Sequence, residues 1–68
     1  MPPEKLAYMA NQIGKFFAHQ PHEKAVASIA AHIRQFWDPR MRHDLLAHLD
    51  SVALDPLVRE AMESVRTA

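Results

Sequence analysis

Apolar side chains recur at three- and four-residue spacing along four successive stretches of this chain, and proline punctuates the breaks between them. That period belongs to a helix with one buried face. Leu6, Met9, Ala10, Ile13, Phe16 and Phe17 share a face in the first stretch. Val26, Ile29, Ala30, Ile33, Phe36 and Trp37 do so in the second. Met41, Leu45, Leu49 and Val52 follow, and then Leu57, Val58, Ala61, Met62 and Val65. No run alternates Val, Ile or Thr with polar residues, and one Gly in 68 residues is too few for a turn-rich β fold. The pattern predicts an all-α fold in a single domain spanning 1–68. It is a small bundle of three to four short amphipathic helices, over about 3–18, 21–37, 39–52 and 56–66.

The breaks carry their own signals. Pro3 and Pro21 suit helix starts, and Glu4 and Glu23 place acids in the first turns. Asp38-Pro39 joins an N-cap to a first helical residue that wastes no amide, and Asp55-Pro56 repeats the device. Gly14 interrupts the first helix at a cost of roughly 1 kcal/mol against Ala, and close approach of another backbone would explain it. A shift of 20 residues aligns the first two stripes, with Ala7, Ala10, Ile13 and Phe16 recurring as Ala27, Ala30, Ile33 and Phe36. Duplication and independent selection of one amphipathic pattern both account for this. Either way the two helices are expected to pair over a short loop.

A chain of this length buries only about 60% of its unfolded surface and is marginal alone. Small domains compensate with disulfides, metals or partners. There is no Cys, which removes disulfides, cysteine-ligated metals and thiol chemistry together. Eight basic and eight acidic side chains cancel, against non-specific binding to nucleic acid or anionic membranes. No apolar run approaches the ~18 residues of a membrane span, and Met1-Pro2-Pro3-Glu4-Lys5 lacks the regions of a signal peptide. The expected location is the cytoplasm.

The chemistry-bearing residues form no recognisable constellation. His19 and His22 are separated by Pro21, and His43 and His48 lie five apart on different faces. Neither pair makes a metal site, so helix-terminal or solvated histidines are expected. Ser28, Ser51, Ser64, Thr67 and Tyr8 belong to no nucleophile motif. No catalytic, cofactor or metal residue is assigned. The tight turns raise a helix-turn-helix DNA reader as the alternative. Its recognition helix would be rich in Arg, Lys, Asn and Gln, whereas the third helix follows Arg40, Arg42 and His43 with Asp44 and Asp50.

The segment Phe36-Trp37-Asp38-Pro39-Arg40-Met41-Arg42 stands out. Two arginines sit in a helix's first turn, where the dipole disfavours cations. Pairing with Asp38 and Asp44, each four residues away, is one account. A partner's carboxylate or carbonyl held by the guanidinium forks is the other. Trp37 and Met41 beside them are residue types enriched at interfaces. Trp37, Arg40, Met41 and Arg42 are therefore the partner-binding candidates. Tyr8, off its stripe, is added to them, and Leu46 is a further outward candidate. Phe16, Phe17 and Phe36 are expected in the core.

Three runs resemble a known family: Met9-Ala10-Asn11-Gln12-Ile13, the Phe36–Arg42 block, and Leu54-Asp55-Pro56-Leu57-Val58-Arg59-Glu60-Ala61. They are similar to the delta subunits of soluble NAD-dependent formate dehydrogenases, over Glu4 to Ala61. The resemblance implies a non-catalytic accessory subunit of a molybdenum-containing complex, supporting assembly or stability of the cofactor-loaded enzyme. It implies that bis-molybdopterin guanine dinucleotide, iron–sulfur clusters, FMN and NAD are bound by other subunits and none by this chain. The implied partners are the large subunits, alpha first, with beta and gamma in the complex.

Overall fold

The structure, a computed structural model, describes residues 1–67. Its elements are α1 (Pro3–Phe17), α2 (His22–Phe36), α3 (Pro39–Leu46) and α4 (Pro56–Thr67), with no strand among the described residues. The all-α expectation holds, and α1, α2 and α4 end within a residue or so of their expected limits. None of the four is long and apolar enough to cross a membrane.

The starts of α1 and α3 have local causes. Pro2 is extended, and its carbonyl accepts from the Lys5 and Leu6 amides as α1 begins. At the α2–α3 junction Asp38 is extended, as a residue before proline must be. Its carboxylate accepts the Met41 N–H at 2.9 Å, satisfying an amide that the helix cannot. Asp38→Ala should therefore cost about 1 kcal/mol. A thermal melt followed by circular dichroism should show a midpoint lower by about 4–8 °C.

The start of α4 is fixed from a distance. The Asn11 amide on α1 donates to the Ala53 carbonyl and accepts from the Asp55 N–H, both at 3.0 Å.

The end of α3 departs from the expected 39–52. The apolar stripe continues through Leu49 and Val52, but the helix stops at Leu46 and residues 47–52 form turns. The carbonyls that a longer helix would use are taken by other donors. Leu45 accepts from the His48 N–H, Leu49 from the Arg59 guanidinium at 2.8 Å, and Leu46 from Arg66 at 3.4 Å. Arg59 also pairs with Asp50. Side chains of α4 thus hold this segment as a folded turn.

The core contains Leu6, Ile29, Ile33, Leu45, Val58 and Met62, all fully buried. Ala7, Ala10, Ala25, Ala30 and Ala61 are buried with or close around them and let the helices approach. The most extensive packing of α2 is on α4 rather than α1. Gly14 does not serve backbone conformation, since neither it nor any other described residue has positive φ. A Cβ placed there would strike the Val58 Cγ2 methyl. The close approach expected at Gly14 is real, but it is made by a side chain rather than a backbone.

Candidate docking surface

The residues of the 36–42 segment go to different places. At the C-cap of α2, Trp37 turns extended and its side chain enters the core, only 6% exposed. In this conformation its indole is a packing residue and not a surface anchor. Met41 is half-buried against the same core. Arg42 donates from Nη1 to the Trp37 carbonyl at 2.7 Å and to the Arg34 carbonyl at 3.3 Å.

These bonds explain the misfit of a cation in the first turn of α3. Arg42 is reading the C-terminus of α2, where the dipole favours positive charge and unpaired carbonyls need donors. The four-apart pairs do not form: Asp38 is committed to the Met41 amide. Arg40 is exposed and makes no hydrogen bond or ion pair among the described residues. Of the two arginines it is the one available to a partner. Tyr8 is 64% exposed, at the edge of a shallow groove with Glu4, Asn11 and Ala53. Leu46 is half-buried against the core instead of pointing outward.

The histidines have ordinary employment. His19 and His48 each place Nδ1 on a carbonyl of the preceding turn, at 3.2 Å from Phe16 O and 2.9 Å from Asp44 O, so each donates there. His22 Nε2 meets Glu60 Oε2 at 2.6 Å across the α2–α4 boundary, both side chains well exposed. Among the described residues no group of three His, Asp or Glu could hold a metal ion. None of their polar or charged side chains is buried.

Phe16 and Phe36 overturn the expectation that the three phenylalanines fill the core, whereas Phe17 packs against it. Phe16 is 73% exposed and Phe36 65%, while Phe17 is half-buried. They form a chain of rings over α1 and α2. Phe16 packs edge-on to Phe17 at 5.0 Å between centroids, Phe17 and His32 meet edge-on at 6.1 Å, and His32 lies 4.7 Å from Phe36. Gln12, Ile13, Phe16, Phe17 and His32 line an open, almost wholly apolar groove there. The sequence did hold a signal for this. Phe16-Phe17 and Phe36-Trp37 are adjacent pairs, adjacent helical residues diverge by about 100°, and only one of each pair can point inward.

A family model described as "NADH-dependant formate dehydrogenase delta subunit FdsD" matches residues 5–62. No curated protein and no solved structure matches. The matched span takes in Arg40, Arg42, the ring cluster, Asn11 with its two bonds to the segment before α4, and the start of α4 itself. With most of its length covered by that one model, the chain belongs to the delta-subunit family of NADH-dependent formate dehydrogenase.

Proposed function

We propose that the chain is a non-catalytic accessory subunit that is held by the larger formate dehydrogenase subunits and favours their assembled, cofactor-loaded state. The observation that supports this most is the family match over residues 5–62. The chemistry of the chain is consistent with it. A polypeptide without Cys lacks the thiolates that hold iron–sulfur clusters, and its grooves are open and apolar, unsuited to excluding water from a reaction. In this reading the molybdenum centre, iron–sulfur clusters, FMN and the NAD site belong to alpha, beta and gamma. Alpha is the first partner, and the location is the cytoplasm.

The mechanism is mass action. A subunit that binds only the assembled enzyme stabilises it by ~2.7 kcal/mol when present at about 100 times its dissociation constant. A tagged copy of the chain should recover the larger subunits from native lysate, with formate-dependent NAD reduction in the eluate. Recovery of the chain alone would defeat the reading. Arg40, exposed and without an ion pair among the described residues, is assigned to a carboxylate or carbonyl of the partner. Arg40→Glu should lower co-purification roughly tenfold or more, equivalent to ~1.4 kcal/mol, with the helical signal by circular dichroism unchanged. Unchanged co-purification would remove Arg40 from the interface.

A further inference from the structure

We propose that residues 47–52 are a two-state segment: a folded turn while Arg59 holds it, and a C-terminal extension of α3 when Arg59 lets go. The inference stands apart from the accessory-subunit reading, and no partner is needed to test it.

The segment carries nothing that ends a helix. Between Pro39 and Pro56 there is neither Gly nor Pro, and Ala47 and Leu49 are strong helix formers. The helix nevertheless stops at Leu46. Its stripe runs on, with Leu45, Leu49 and Val52 four and three residues apart, the spacing of one helical face. In the turn Leu45 and Leu49 are buried and Val52 packs against the core. An extended α3 would align the same three side chains on one face. Apolar burial therefore does little to choose between the two forms.

Backbone hydrogen bonding favours the helix. The amides of Ala47, His48 and Ser51 donate to the carbonyls of His43, Leu45 and His48. Among the described residues the amides of Leu49, Asp50 and Val52 donate to no carbonyl. Their helical acceptors, four residues back, are Leu45, Leu46 and His48. An extended α3 would pair all three.

What favours the turn comes from α4. Arg59 places Nη1 on the Leu49 carbonyl at 2.8 Å and pairs Nη2 with Asp50. Arg66 reaches the Leu46 carbonyl only at 3.4 Å. Arg59 is thus the stronger tie, gripping two adjacent residues with one fork. Asp50 acts against the helix twice. It attracts Arg59, and a carboxylate in a helix's last turn is disfavoured by the dipole. The pair is open to solvent, with the Arg59 side chain 42% exposed and that of Asp50 91%. Water competes for such a pair, so its hold on the segment is modest. Two forms with equal burial, separated by a modest tie, make a bistable element.

Arg59→Met keeps the apolar stem and removes both donors. In NMR spectra of the variant, the Cα shifts of 47–52 should move to helical values. Exchange of the Leu49, Asp50 and Val52 amides should slow at least roughly tenfold. Helical ellipticity should rise by roughly a tenth, as six residues join the four helices. The sign is diagnostic, because losing an ion pair ordinarily reduces order. Unchanged turn shifts, or disordered shifts at 47–52, would overturn the proposal. If Arg59→Met fails to fold, Asp50→Ala decides the matter. It removes the ion pair and the misplaced carboxylate while the Leu49 bond stays, and should move 47–52 part of the way to helix. Ser51→Ala is the control, with a similar gain in helix propensity at an exposed position outside the Arg59 contacts. An Asp50→Ala effect no larger than that of Ser51→Ala would equally overturn the proposal.

Discussion

Trp37→Ala should destabilise the isolated chain by about 3–5 kcal/mol, as truncation of a buried Trp does elsewhere. Chains of this size have a total stability of only about 3–10 kcal/mol, so the variant should be largely unfolded or close to it. Trp37 closes the core where α2 ends and the chain turns into α3. Its N–H bonds the Ile33 carbonyl at 3.0 Å, and its own carbonyl receives Arg42. Loss of the indole would leave a cavity beside Arg42's anchoring bonds. Urea denaturation of the purified chain is the check. A Trp37 that served only as a surface anchor would give a variant with wild-type stability and a defect confined to partner binding.

Gly14→Ala should also destabilise, although the usual effect of this change in a helix is a gain of about 1 kcal/mol. The new methyl would meet Val58 Cγ2, and Ile29 Cδ1 stands 3.9 Å away. Val58 is fully buried and β-branched, so it has no other rotamer to move into cheaply. Overpacking of this kind costs about 1–3 kcal/mol, and a stiff neighbour puts it toward the upper end, for a net loss of about 2 kcal/mol. The second substitution isolates the cause. Val58→Ala removes the obstructing methyl, so Gly14→Ala should become neutral or stabilising in that background. A double-mutant cycle should return a favourable coupling of about 0.5–3 kcal/mol. Simple additivity would mean that the contact does not limit position 14.

Much of the fold was legible because its determinants are local. The apolar periods of α1, α2 and α4 set their faces, the prolines mark where helices begin, and Asp38 caps α3. The end of α3 was not legible. Its stripe runs on in the sequence, and what stops the helix is a set of donors on α4, Arg59 and Arg66, 10 and 20 residues away from the carbonyls they bind. The role of Asn11 was hidden for the same reason, its partners lying 42 and 44 residues along the chain.

The candidate site was legible in part. The two arginines at the start of α3 stood out in the sequence as a misfit with the helix dipole. The reason for Arg42 is the backbone of α2, which composition cannot reveal, and of the two arginines Arg40 is the one without a hydrogen bond or ion pair among the described residues. The aromatic residues show the opposite failure. A stripe drawn through Phe16 and Phe36 hides the fact that Phe17 and Trp37, their neighbours, take the inward positions. The two helices aligned by the 20-residue shift share this arrangement, the matched pair Phe16 and Phe36 both lying in solvent.

The central claim is that this chain stabilises an assembled enzyme without performing chemistry itself. Formate dehydrogenase purified with and without the chain, compared for thermal midpoint and for retained formate-dependent NAD reduction on heating, tests that most directly. The account predicts that the complex lacking the chain melts lower and loses activity sooner, and that adding the purified chain restores both in proportion to its occupancy. Equal midpoints and equal activity with and without the chain would contradict it.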